Sequence, residues 1–423
     1  MTNIFMVPNP TGTGHNMRMY SIACKLKKKK DVNVKIVLSS LQDTFTPLFE
    51  SIGAEVINFN PKRIVNYSKK SHLEEELTWE TMINQYFSET FFNGSVILKY
   101  MSLFSEQKPD VIVSDYNINA SIAACLLNIK HVFVTERFNF TLVDVSNELL
   151  KKGGFRVNDQ ELDSARKSMN SLFKWLGNNT EFILTDKPYV EEMDRNSLIK
   201  TFFDEGKAHF VGPMIRSFEQ ESDFSFSSLG IKEEAFPLIT ATVSGTTMFK
   251  ENKKKLVTLY IEMFRKIKKH YPGAQMVLLA RENIEVPEGI LSIPYISNWI
   301  PLLKKSDVLL SHPGWITVTE ISSLGVPAIF CLASFKEYHE AEAYLRLDKL
   351  GYQTHYGFDL DSLVEKVNST ITNRELVTSN YKYVYKDSDG ATKASDCILD
   401  VALREKAKKQ KNKIEVCETC QQY

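Results

Sequence analysis

Apolar positions along this chain follow two rhythms. Short runs rich in Ile, Val, Phe and Leu, such as NIFMVP, VNVKIVLSS, AEVINF, PDVIVSD and KHVFVTE, have the length and composition of buried strands. Between them lie stretches whose apolar residues recur about one helical turn apart. NMRMYSIACKLKK places Met17, Tyr20 or Ser21, Cys24 and Lys28 on one face, with Ile22 and Leu26 alongside. TPLFESIG reads as a short helix stopped at glycine, and NINASIAACLLN as a longer one. Strand, helix, strand in this order predicts parallel α/β units with right-handed crossovers and helices on both sheet faces.

Two segments break the rhythm. Residues 61 to 107 are charged and aromatic, and residues 143 to 179 resemble them; both read as helical. GPMIRSFEQESDFSFSS is polar and aperiodic, as linkers are. Beyond it the alternation restarts with FPLITATV, the helix KENKKKLVTLYIEMFRKIKKH, AQMVLLA, ILSIPYI, DVLLS, the helix ITVTEISSLG and VPAIFCL. The expected division is an N-terminal domain at 1–216, a linker at 217–235 and a C-terminal domain at 236–390. A helix at 391–410 then crosses back, and 411–423 forms a tail. Two such domains enclose a cleft, and open parallel sheets bind ligands outside their carboxyl strand ends.

Composition narrows the class. A chain of 423 residues with 43% hydrophobic content can bury two or three full cores. Lys and Arg together number 52, as do Asp and Glu, so no global field draws the chain to nucleic acid or an anionic membrane. The basic stretch REKAKKQKNK supports at most a weak peripheral membrane contact. No window approaches the ~20 apolar residues of a membrane helix, and MTNIFMVPNPTGTGH lacks a secretory signal pattern. The six cysteines have no disulfide-framework spacing, which fits a cytoplasmic location. Cys417 and Cys420 form a lone C-x-x-C without the second half of a zinc site, and read as part of a solvated tail.

The chemistry concentrates in DVLLSHPGWITVTE. A strand ends near Ser311, Pro-Gly turns the chain, and a helix begins around Trp315 or Ile316. Gly314 lets backbone approach a ligand, and the helix-start N–H groups favour an anion. His312 and Thr317 add side-chain donors, while Glu320, projecting from the first turn, suits ribose hydroxyls better than phosphate. A nucleoside diphosphate satisfies all of these at once; the bland alternative is a strand-turn-helix with coincidental polar residues.

HPGWITVTE resembles the H-x-G-W-x-[ST]-x-x-E segment of nucleotide-sugar-dependent glycosyltransferases with the GT-B fold, which include UDP-glucuronosyl-, UDP-glucosyl- and macrolide or antibiotic glycosyltransferases. The surrounding LLKKSDVLLS and GVPAIF extend the likeness. The resemblance implies an α/β fold of two Rossmann-like domains whose parallel sheets face each other across a cleft. It gives His312, Gly314, Trp315 and Thr317 to the donor diphosphate and Glu320 to the ribose. FMVPNPTGTGHNMRMYSIACKL is similar to the family's glycine loop, so His15 inherits the role of general base, with Gly12, Thr13 and Gly14 forming the acceptor loop. An acceptor hydroxyl must lose its proton as it attacks, and a neutral imidazole takes it near pH 7.

PDVIVSD resembles the family strand whose terminal aspartate orients that histidine, so Asp115 is the expected partner; its alternative role is N-cap of NINASIAA. Ser244, Gly245 and Thr246 in TATVSGTTMF resemble the first phosphate loop of the donor domain, although a plain chain reversal has the same residues. The loop CLASFKEYHEAEA departs from the family pattern. Its best register puts His339 and Glu342 on the sugar-binding pair, with Glu337 and Tyr338 at the acidic position. Glu337, Tyr338 and His339 are therefore the donor-sugar candidates, with a charged helix start as the alternative. Trp299 lies too close to His312 for the plant-type tryptophan motif, so the choice between UDP and TDP stays open.

The D-x-D triplets at 359–361 and 387–389 precede helical runs and read as caps and turns. No metal and no other cofactor are expected, the nucleotide sugar being a co-substrate. The sequence thus points to an inverting glycosyltransferase acting on a hydroxyl of a small-molecule, natural-product or lipid acceptor, with the aromatic segments 61–107 and 143–179 as acceptor walls. The alternatives are a non-catalytic nucleotide-binding or activator subunit, and a sugar-nucleotide epimerase or hydrolase, which needs no acceptor.

Overall fold

The structure is a computed structural model. It describes residues 1–60, 76–82, 92–136, 145–216, 225–243, 249–280, 282–294, 296, 298–385 and 389–420, with side chains left undescribed at 76, 81, 82, 339 and 409–420.

The N-terminal half contributes β1 (Thr2–Pro8), β2 (Val32–Leu38), β3 (Glu55–Asn58), β4 (Glu76–Leu77), β5 (Val111–Asp115), β6 (Lys130–Val134), β7 (Arg156–Val157), β8 (Phe182–Thr185) and β9 (Ala208–Phe210). Seven of these form a sheet in the order β3-β2-β1-β5-β6-β8-β9, every pairing parallel. Its strands are apolar on both sides because helices cover both faces. Phe5, Val7, Ile112, Phe133 and Ile183 enter one core, and Ile4, Met6, Val111, Val113 and Val132 the other. β4 and β7 pair separately, joining the two segments that break the sequence rhythm.

The C-terminal half contributes β10 (Leu238–Thr242), β11 (Gln275–Leu279), β12 (Ile290–Ile293), β13 (Val308–Ser311), β14 (Ala328–Leu332) and β15 (Thr354–Tyr356). They form a parallel sheet in the order β12-β11-β10-β13-β14-β15. Strand order reverses at β1/β5 in one sheet and at β10/β13 in the other, which puts a ligand-binding crevice at each reversal. This is the GT-B arrangement.

Helix Thr13–Lys27 forms where the spacing put it, and it buries Arg18, Met19, Ile22, Ala23 and Leu26. A charged Arg18 misleads a count of apolar positions because its guanidinium is neutralised inside. One expectation shifts in the structure. The final helix spans Gly390–Cys420 and thus continues past 410, since KKQKNKIEVCE contains neither glycine nor proline to stop it. Its Ala394, Ile398, Val401 and Ala402 complete the core beneath the N-terminal sheet. No helix among the described residues is long and apolar enough to cross a membrane.

Candidate active site

The register of β1 against β5 sets the first half of the site. Pro8 lies opposite Asp115, so the loop after β1 emerges beside the end of β5. Gly12 turns that loop with φ of 91°, a conformation that favours glycine, and helix Thr13–Lys27 starts at once. His15 in its first turn therefore reaches the fully buried Asp115, Nδ1 to Oδ1 at 2.7 Å. The ring keeps 18% of its side-chain surface exposed and stacks on Tyr116, centroids 6.2 Å apart. The cap of the following helix falls to Asn117, whose side chain accepts from the Ala120 N–H. Asp115 is thus not the N-cap, and its carboxylate serves His15.

Asp115 has a second partner that the sequence reading missed. Arg18, one turn after His15, is fully buried and places Nη1 at 3.1 and 3.0 Å from the two Asp115 oxygens. Its Nε meets Asp186 at 3.1 Å and its Nη2 meets Glu136 at 3.3 Å. Burial alone would favour the neutral guanidine, but the three carboxylates outweigh it and hold Arg18 charged. Burial also pushes the Asp186 carboxyl up to about 6, against the pull of Arg18. Glu136 and Asp186 stand just past β6 and β8, so acidic residues directly after buried strands were the available signal.

The second half is built on β13. Ser311 ends the strand, Gly314 precedes helix Trp315–Leu324, and no side chain caps that helix start. The first-turn N–H groups therefore point at the crevice with the helix dipole behind them. Thr317 is partly exposed in this turn. The Trp315 side chain is buried and its Nε1 donates to the Asp186 carbonyl at 3.4 Å, so what residue 315 offers an anion is its backbone N–H. Glu320 lies in the second turn of the helix, not the first. It accepts from Trp299 Nε1 at 3.1 Å and pairs with Arg216 at 3.3 Å, while burial pushes its carboxyl up. Arg216, from the interdomain connection, has no periodic relation to residue 320 and was not legible in the sequence.

His312 is buried with carboxylates on both ring nitrogens, Glu337 on Nε2 at 2.7 Å and Glu340 on Nδ1. Asn252 donates to the other Glu337 oxygen at 2.7 Å. A diphosphate contact from His312 requires one of these carboxylates to give way. Glu337 thus meets His312, whereas Tyr338 packs its ring near Phe155 and Phe249; both are buried. The side chain of His339 and the whole of Ser244, Gly245 and Thr246 lie outside the described residues.

The two halves meet directly. Helix Thr13–Lys27 lies against helix Trp315–Leu324, where Gly14 approaches Ile316. Farther along, Arg346 bonds Asp194 at 2.6 and 2.8 Å and Glu342 at 2.8 Å, and Lys187 pairs with Glu342. These four buried charges border a cleft that also includes Thr135, Glu136 and Tyr189. The two segments that break the sequence rhythm come together: β4 pairs with β7, and the Trp79 N–H donates to Glu161 at 2.6 Å. Residues 61–75, 83–91 and 137–144 of that region lie outside the described residues.

Comparison with known proteins agrees with this fold. Residues 251–383 match the glycosyltransferase family 28 C-terminal domain. An uncharacterized glycosyltransferase of Methanosarcina acetivorans is 23% identical over 240 residues, 55% of this chain and 56% of that protein. The match thus spans just over half of that relative's length. The NDP-glycosyltransferase YjiC of Bacillus subtilis is 20% identical over 84% of this chain and 86% of its own. Among solved structures, the kitacinnamycin glycotransferase superposes with a TM-score of 0.62 at 14% identity, covering 94% of this chain and 97% of its own. A UDP-N-acetylglucosamine 2-epimerase from Listeria monocytogenes shares the fold at a TM-score of 0.59 and 13% identity, covering 92% of this chain and 94% of its own. Two parallel sheets, each with one reversal of strand order, give the chain the GT-B fold of these solved structures, and its residues 251–383 are similar to a glycosyltransferase family 28 C-terminal domain.

Proposed function

We propose that the protein is an inverting glycosyltransferase that moves a sugar from a UDP- or TDP-sugar to a hydroxyl of a small-molecule, natural-product or lipid acceptor. The donor diphosphate rests at the start of helix Trp315–Leu324 with His312, Gly314 and Thr317, and with Ser244, Gly245 and Thr246 alongside. Glu320 accepts from the ribose, and Glu337, Tyr338 and His339 face the sugar. The acceptor lies between the N-terminal sheet and the segments 61–107 and 143–179.

In the reaction the acceptor hydroxyl gives its proton to His15 Nε2 while its oxygen attacks the anomeric carbon from the face opposite the diphosphate. The carbon–oxygen bond to the diphosphate breaks, its electron pair goes to the phosphate oxygen, and the configuration inverts. Asp115 on Nδ1 fixes the ring and stabilises the imidazolium that forms. The helix terminus and His312 stabilise the leaving diphosphate. The reading includes no metal and no further cofactor.

The observation that carries this reading is the 2.7 Å contact of a partly exposed His15 with a fully buried Asp115. The test is a product screen by mass spectrometry, pairing UDP- and TDP-sugars with phenolic, polyketide and lipid alcohols. A new glycoside is expected, with His15→Ala slower by about 10²–10⁴-fold, the usual contribution of a general base. Equal turnover by His15→Ala contradicts the reading. A second reading, a sugar-nucleotide epimerase or hydrolase, is favoured by the fold shared with the 2-epimerase. Conversion of the donor with no acceptor present selects it.

A further inference from the structure

His15 and Arg18 leave one helix a turn apart and converge on one carboxylate. Asp115, Asp186 and Arg18 are buried completely, while Glu136 keeps 26% of its side chain exposed. One guanidinium therefore contacts three carboxylates, and it shares one of them, Asp115, with His15. Among the described residues, Tyr116 stacks on the ring, and uncharged Gly12 and Ile316 flank its turn. A lone buried carboxylate 2.7 Å from the imidazole would hold a proton on it, and a protonated ring accepts no second one.

We propose that Arg18 is the positioning residue of the His15–Asp115 pair. By holding both Asp115 oxygens it fixes the carboxylate in one orientation and offsets its charge, so that Asp115 orients His15 as a neutral base instead of trapping it as imidazolium. The proposal rests on the reading of His15 as the base. It adds a cation that touches neither substrate and acts only through Asp115. The cluster also reaches the donor domain, because the Asp186 carbonyl accepts the Trp315 indole N–H.

The test uses full-length protein labelled with ¹⁵N-histidine and long-range ¹H–¹⁵N spectra recorded across pH, with His15→Gln identifying the His15 signals. In wild type the neutral ring is expected to carry its proton on Nδ1. In Arg18→Gln the titration midpoint of His15 should rise by about one unit, a tenfold gain in proton affinity. Arg18→Lys, which keeps the charge but not the planar fork, should fall between the two. Asp186→Asn keeps the proposal testable should Arg18→Gln fail to fold. It frees the guanidinium for Asp115 and should move the midpoint down. Unchanged midpoint and tautomer in the folded variants would overturn the proposal. These spectra need no turnover, so they stand apart from the reading of the reaction. If the midpoints move as stated but His15→Ala still forms glycoside at the wild-type rate, the electrostatic role stands and the assignment of His15 as base falls.

Discussion

Gly153 of the N-terminal domain backs directly onto the Lys336 amide of the C-terminal domain: a Cβ on the glycine would lie 2.5 Å from that nitrogen. The contact sits beside Phe155 and Tyr338, whose rings are 6.3 Å apart, and one residue before Glu337, the partner of His312. Gly153→Ala therefore pushes the loop that carries Glu337, and with it the proposed donor site. Overpacking of this kind costs about 1–3 kcal/mol. Thermal unfolding should show the loss, and nucleotide-sugar binding should weaken while the distant His15–Asp115 contact persists.

Arg346 ties the domains together through Asp194 and also braces Glu342, which pairs with Lys187. Removing one member of a buried ionic group leaves its partners desolvated without compensation, at about 3–5 kcal/mol. Arg346→Met should lower the urea midpoint accordingly. Lys187→Met in the same background should then cost more than it does alone, because buried Glu342 is left with neither cation. Strictly additive losses would show that the charges act separately.

His131 predicts a pH dependence. It is fully buried between Ser114 and Thr180, and burial lowers its pKa to about 3 from an ordinary 6.5. Between those values the unfolded chain binds a proton that the native one refuses. Stability from this site is therefore complete above 6.5 and is lost as pH falls toward 3, by up to about 1.4 kcal/mol per unit. Asp186 slopes the other way, its raised carboxyl losing stability as pH climbs from 3.8 to about 6. The comparison is thus between wild type and His131→Asn, which should flatten the acid side of the stability curve. Parallel curves would contradict the assignment.

The sequence carried the architecture because each local signal agreed with the next. Apolar runs, glycine turns and helical spacing located β1, β5, β10 and β13, and with them the loops that hold His15 and His312. The pairing of His15 with Asp115 came from the resemblance; the register of β1 on β5 supplies its physical cause. What stayed hidden was long-range charge. Arg18 on an amphipathic helix reads as outward-facing, and only the folded sheet shows Asp115, Asp186 and Glu136 converging on it. Arg216 and Trp299 meet at Glu320 for the same reason: contacts between segments distant in sequence leave no periodic trace.

The central claim is tested most directly by calorimetric titration of UDP, TDP and GDP into wild type, His312→Ala and His15→Ala. One of UDP and TDP should bind wild type and His15→Ala alike, and its affinity should drop at least tenfold in His312→Ala, the loss of a charge-assisted contact to phosphate. Absence of binding by all three nucleotides, or equal binding by His312→Ala, would contradict the donor site on which the account depends.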